Sequence, residues 1–80
     1  MTAAPLTKDQ MRADIAAMIK LSPGDVRDDD DLRDLGLDSM QTMDLASAWE
    51  PQVPALDFVE LFDGQTLADW WDVVTRMQTA

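Results

Sequence analysis

The residues best suited to chemistry lie in one short run, Leu35-Gly36-Leu37-Asp38-Ser39-Met40. It reads as a loop end, a glycine turn, a helix-capping aspartate and a hydroxyl on the first helical turn. Nucleophilic hydrolysis is excluded, because Ser39 lacks the G-x-S-x-G frame and the chain has no His to act as its base. The lack of both His and Cys also removes thiolate nucleophiles, imidazole acid–base work, disulfides and zinc sites. The run Asp28-Asp29-Asp30-Asp31 suggests calcium, but the frame fails. With Gly36 at the sixth position of a calcium loop, Arg33 and Leu35 fall where oxygen ligands are required. Together with Asp34 and Asp38, these carboxylates read instead as a solvated, partner-facing acidic surface. A chain this small offers no evident pocket to raise a carboxyl pKa for acid–base work, and its 3 scattered glycines make no phosphate loop. No catalytic residue and no metal ligand is assigned. On those six residues alone, an ordinary helix start is the better account of Asp38 and Ser39.

The elements around the serine change that balance. A first helix should begin near Thr7, whose spacing to Gln10 is that of a capping box, and should show Met11, Ile15, Met18 and Ile19 on one apolar face. Pro23-Gly24 should stop it. Leu21 to Asp38 reads as a long loop held to the core by Val26, Leu32, Leu35 and Leu37. A second helix should run from Ser39 to about Glu50, capped by Asp38 and ended by Pro51 and Pro54. At 100° per residue, Thr42, Leu45, Ala46 and Trp49 form its core face. Met40, Met43 and Ser47 fall on a separate face, with Ser39 between the two at the N-terminal end. Two methionines beside an exposed hydroxyl look like a binding surface, since methionine suits surfaces that accept several partners; packing of Met43 beneath the long loop is nearly as good an account. Asp57 to Phe62 is a short third helix closed by Asp63-Gly64. The last helix should start at Thr66, with Leu67, Trp70, Trp71, Val74 and Met77 at helical spacing. The class is all-α: three main helices, one short one, and a long first loop.

The 80 residues make a single domain, 1–80, with an ordered core over 7–77. A chain of that size buries roughly 60 to 65 % of its unfolded surface, enough for one core. Sixteen acidic against six basic residues give a formal net charge of -10. Such a surface repels nucleic acid and anionic lipid and favours proteins with a basic docking face. Met1 to Lys8 shows no secretory pattern, and no apolar run approaches the ~20 residues of a membrane span. The expectation is a soluble, cytoplasmic monomer.

Taken with this architecture, the residues resemble the carrier proteins of fatty-acid, polyketide and nonribosomal peptide synthesis. That family has four helices, a long first loop, and a G-x-D-S-[LM] sequence opening the second helix, here Gly36-Leu37-Asp38-Ser39-Met40. The resemblance implies 4'-phosphopantetheine attached covalently to Ser39, with Gly36, Leu37 and Asp38 as motif support. It also implies a docking face of Met40, Met43, Asp44 and Ser47 on the second helix and Phe58 and Phe62 on the third. Within the family the chain looks most like aryl carrier proteins of siderophore assembly, including those fused behind isochorismatase domains. The features are Leu45-Ala46-Ser47-Ala48-Trp49, Asp57-Phe58-Val59-Glu60-Leu61 and Trp70-Trp71. Trp49 and Trp71 read as core in either case.

The implied protein is a free-standing aryl carrier that does no chemistry with its own side chains. A phosphopantetheinyl transferase would install the arm from coenzyme A, an aryl-acid adenylating enzyme would load it as a thioester, and a condensation or cyclisation domain would accept the acid. A fatty-acyl, polyketide or aminoacyl carrier shares that chemistry and differs in partners. An acidic interaction protein, such as a DNA mimic, is the rival from another class. The charge favours it; the Asp38-Ser39 helix start does not.

Overall fold

A computed structural model describes residues 5–54 and 56–79. Met1 to Ala4, part of the stretch read for a leader, lie outside the described residues, as do Ala55 and Ala80. The chain forms α1 (Lys8–Met18), a 3-10 turn at Pro23–Asp25, α2 (Ser39–Trp49), a short α3 (Phe58–Asp63) and α4 (Leu67–Thr79). No strand occurs among the described residues. The expected all-α class, the short third helix and the long first loop are all present.

Thr7 caps α1 through its hydroxyl, which accepts from Gln10 N–H at 3.1 Å. The Gln10 side chain does not close the expected box. Its amide pairs reciprocally with that of Gln52, at 2.9 and 3.1 Å, and so fastens α1 to the segment after α2. The helix also ends earlier than Pro23-Gly24 suggested. Lys20 takes a positive φ of 61°, while Leu21 N–H donates to Ala16 O at 2.8 Å and Lys20 N–H to Ala17 O at 3.4 Å. This is a Schellman stop, which consumes the last free carbonyls of the helix, with lysine in the place glycine usually holds. Pro23 and Gly24 lie beyond it, in the 3-10 turn.

The core forms where the apolar faces converge. Met11 and Ile15 of α1, Leu45 and Trp49 of α2, Leu61 of α3 and Leu67, Trp70 and Val74 of α4 are buried, and Val26, Leu32 and Leu37 close it from the loop. The predicted core face of α2, Thr42, Leu45, Ala46 and Trp49, is the observed one. The two buried indoles meet edge to face, ring centres 6.1 Å apart, an arrangement favoured by the aromatic quadrupole. Each keeps its N–H satisfied: Trp49 Nε1 donates to Asp14 Oδ2 at 2.8 Å and Trp70 Nε1 to Gly64 O at 3.3 Å. Trp71, expected in the core, is half-buried at its edge. Val73, also buried, draws the apolar stripe of α4 toward Trp70 and away from Trp71.

The acidic loop requires a larger correction. Asp28 keeps 45 % of its side chain exposed but is not free to face a partner: both Lys8 and Arg12 of α1 grip its carboxylate, and its carbonyl accepts Ala68 N–H of α4 at 3.0 Å. Arg12 also donates to Val26 O. Asp30 and Asp31 cap turns inside the loop, accepting from Arg27 N–H at 3.0 Å and Arg33 N–H at 2.9 Å. With Leu32 N–H bonded to Gln65 O at 2.9 Å, the loop is ordered by its own polar groups as well as by its leucines.

Candidate functional site

The loop delivers the chain to α2 through two tight features. Leu35 N–H donates to Asp31 O and Gly36 N–H to Arg33 O, making one irregular turn that Leu37 N–H closes onto Leu32 O at 3.0 Å. Gly36 carries φ +111° there, with open space where a Cβ would stand. Glycine is therefore required by backbone conformation and not by crowding. Burial of Leu37 then fixes the direction in which Asp38 and Ser39 leave the core.

Asp38 caps α2. Its Oδ1 accepts from Gln41 N–H at 2.8 Å, and Gln41 Oε1 accepts from Asp38 N–H at 3.1 Å. This is a full capping box with glutamine in the usual Glu/Gln place. Gln41 also donates from Nε2 to Met18 O at 3.4 Å, tying the serine turn to the end of α1. Thr42, beneath, donates to Asp38 O at 2.9 Å. Ser39 is thus the first residue of a helix whose start is held from three directions, and its own side chain is exposed. Among the described residues nothing hydrogen-bonds the Ser39 hydroxyl. It is an exposed hydroxyl on an anchored backbone.

Beside it is a cleft of about 20 Å³, with Leu32, Arg33, Leu37, Leu61 and Trp70 among its walls. That volume is the room of about one water. Arg33 reaches across from the loop, donating from Nη2 to Phe62 O at 3.0 Å. The rim suits an anionic group joined to Ser39, with an exposed hydroxyl and the Arg33 guanidinium in the same wall, while the floor of Leu32, Leu37, Leu61 and Trp70 is apolar and keeps such a group at the surface. Among the described residues no side chain hydrogen-bonds the Ser39 hydroxyl as a base would, and no cluster of three metal-ligating side chains occurs.

The residues proposed for docking divide clearly. Met40 is 75 % and Met43 48 % exposed, so neither packs beneath the loop. Asp44 and Ser47 are exposed on the same helix. Phe58 is 42 % exposed, while Phe62 is half-buried, lines the serine cleft and meets Phe58 edge to face with ring centres 5.8 Å apart. Sequence reasoning missed Val59, 54 % exposed next to Phe58, and the cleft residues Arg33 and Trp70. Val59 could have been found as an apolar residue off the Leu61 face of α3. Arg33 gave no local signal, because its partner lies 29 residues away.

Asp28 is the carboxylate whose acidity its surroundings change most clearly among the described residues. Hydrogen bonds from Lys8 and then Arg12 hold its carboxyl below the ordinary value of 3.8. It stabilises the loop and lies outside the serine cleft. No helix among the described residues is long and apolar enough to cross a membrane.

A family model described as "Phosphopantetheine attachment site" matches residues 9–74. The isochorismatase of Bacillus subtilis is 35 % identical over 69 residues, covering 86 % of this chain and 22 % of that protein. The acyl carrier protein ScoB of Streptomyces coeruleorubidus is 31 % identical over 75 residues, covering 94 % of this chain and 88 % of that one. Component B of the enterobactin synthase of Escherichia coli is 43 % identical over 49 residues, 61 % of this chain and 17 % of that protein. The chain therefore spans about a fifth of the isochorismatase, but most of ScoB. No solved structure gives a significant match.

Proposed function

This chain belongs to the phosphopantetheine-bearing carrier-protein family, and on that premise we propose that it is an aryl carrier with the arm on Ser39. One observation carries the assignment: the Ser39 hydroxyl stands exposed on the first turn of a helix fixed by the Asp38–Gln41 capping box, with no partner among the described residues. A transferase acting on a protein substrate needs such a hydroxyl, held in place yet free to be approached. The Ser39 oxygen would attack the phosphopantetheine phosphorus of coenzyme A, forming the new P–O bond as the pyrophosphate P–O bond breaks. Adenosine 3',5'-bisphosphate would leave, and the hydroxyl proton would pass to a base of the transferase, which with magnesium supplies the catalysis. When bound, the arm supplies a terminal thiol that can hold a carboxylic acid as a thioester.

The chain's own residues do the rest by presentation. Met40 and Met43 of α2 and Phe58 and Val59 of α3 are exposed apolar side chains on two helices that touch. Phe62 joins Phe58 to the serine cleft, and on this reading these side chains make up the docking surface. Asp44 and Ser47 give it a polar border. Partners with a basic rim around an apolar centre fit this surface on a chain of net charge -10. Its small size suits brief encounters, as a carrier exchanged between an adenylating enzyme and a condensation or cyclisation domain requires. The aryl reading draws on the sequence features shared with carriers that follow isochorismatase domains, and on the similarity to an isochorismatase and to an enterobactin synthase component. The likeness to an acyl carrier protein over most of its length favours, as a second reading, a carrier of other acyl groups.

Intact mass before and after incubation with coenzyme A, magnesium and a broad-specificity phosphopantetheinyl transferase tests the attachment. The expected result is a gain of one phosphopantetheine in the parent and none in Ser39→Ala, with both proteins equally helical. A gain that persists in Ser39→Ala would place the arm elsewhere. Subsequent loading by a salicylate- or dihydroxybenzoate-activating enzyme, in preference to a fatty-acyl ligase, separates the aryl from the acyl reading.

A further inference from the structure

The acidic surface poses a problem for the group just assigned to Ser39. A phosphodiester there adds a negative charge beside the Asp38 carboxylate, on a chain that already carries -10. Six cationic side chains are available in the sequence. Lys8 and Arg12 are committed to Asp28, and Arg76 faces Glu60 and Asp72. Neither Lys20 nor Arg27 borders the serine cleft; Arg33 does, sharing its wall with Ser39 and Asp38.

The Arg33 side chain is also held there. Its Nη2 donates to Phe62 O at 3.0 Å, one of the last carbonyls of α3, which the helix itself leaves unpaired. A cation at that end of a helix is favoured by the helix dipole as well. Its remaining guanidinium donors have no partner among the described residues. A guanidinium carries five donors in a planar fork that matches phosphate oxygens, and one bond to a carbonyl leaves most of that fork open.

We infer that Arg33 is a positioning residue for the arm: it grips the phosphodiester on Ser39 while keeping its bond to Phe62 O, and so ties the root of the arm to the C-terminal end of α3. The consequence is directional. An arm fixed at its phosphate starts along the side of the domain that bears Phe62 and Phe58, whereas an arm rooted on Ser39 alone is free to swing. Arg33 has no part in forming the bond to Ser39. This inference rests on the assignment of the arm to Ser39 and fails separately from it.

The test is magnetic resonance on the chain before and after the arm is installed, read at phosphorus and at Arg33 Nε. In the parent the phosphorus signal is expected to move away from that of free phosphopantetheine, and the Arg33 Nε–H signal to shift when the arm arrives. Arg33→Gln should return phosphorus to the free value and loosen the first methylene of the arm. Arg33→Lys, which keeps the charge without the fork, should fall between. Arg27→Gln, a cation away from the cleft, should behave as the parent. A phosphorus signal identical in the parent and Arg33→Gln, with Arg33 Nε unmoved, overturns the inference even though the mass shows the arm in place. If Arg33→Gln proves poorly folded, the Nε shift in the parent decides alone. A parent chain that gains no arm at all overturns instead the assignment of Ser39.

Discussion

Met40→Ala separates a docking residue from a core residue more cleanly than any other change in this chain. Met40 is 75 % exposed, so about a quarter of its side-chain burial is at stake. Full burial of such a side chain is worth about 1.5–3 kcal/mol, which puts the loss at roughly 0.4–0.8 kcal/mol. Alanine's better helix propensity offsets part of that, and the melting temperature should fall by no more than about 5 °C. Leu45→Ala, one turn on and only 3 % exposed, should instead cost about 2–5 kcal/mol through the cavity it leaves. In partner binding the order reverses. An apolar anchor at the centre of an interface costs about 1–2 kcal/mol or more when truncated, which lowers kcat/KM for arm transfer about 5- to 30-fold. Thermal melts by circular dichroism and mass-detected transfer time courses measure both quantities on the same samples. Transfer to Met40→Ala within twofold of the parent would refute the docking role for this enzyme. A melt as depressed as that of Leu45→Ala would show that the side chain supports the fold.

Asp38→Ala removes the carboxylate half of the capping box that starts α2. It should cost about 1 kcal/mol of stability, with Asp38→Asn recovering most of it, as read by urea unfolding. Because Gln41 joins that box to Met18 O, Gln41→Ala should slow arm transfer to Ser39 while the serine itself is untouched. The Asp28 clamp predicts a pH dependence of definite sign. Its folded carboxyl lies below 3.8, so the contribution is present above that value and lost as pH falls through the folded pKa. The difference in melting temperature between the parent and Asp28→Asn should therefore be full at neutral pH and disappear in strong acid. A difference that stays constant down to pH about 2 would mean that the clamp does not act through its charge.

How much of this was legible in the sequence depends on whether the partner is local. The core face of α2 was readable because Thr42, Leu45, Ala46 and Trp49 obey the helical period and nothing else competes for them. The same geometry pointed Met40 and Met43 away from the core, but packing of Met43 beneath the loop was nearly as good an account until the structure showed both exposed. Gly36 was readable as a turn, though not the φ that makes it necessary. The Thr7–Gln10 spacing, by contrast, was a true local pattern undone by a distant competitor, since Gln52 offered the Gln10 amide two hydrogen bonds. The stop of α1 misled for the opposite reason. Pro23-Gly24 is a strong signal, but a lysine in the left-handed region had already ended the helix. The four consecutive aspartates look equivalent in sequence. Only the packing of α1 against the loop makes Asp28 different from Asp29.

The size of the serine cleft bears on what can distinguish one carrier from another. At about 20 Å³ it admits a water and excludes an aromatic ring or an alkyl chain, and the core beneath is closed by Leu37, Leu61 and Trp70. A thioester-bound acid on the proposed arm would therefore stay outside this cleft and gain no selectivity from it. On the proposed function, discrimination between aryl and acyl cargo would then fall to the enzymes that read the exposed side chains, and a change at Met43, Phe58 or Val59 should alter partner choice and leave the core intact. On this reasoning, exchanging surface residues of α2 and α3 between two carriers should exchange their loading enzymes, while exchanging core residues should alter stability alone.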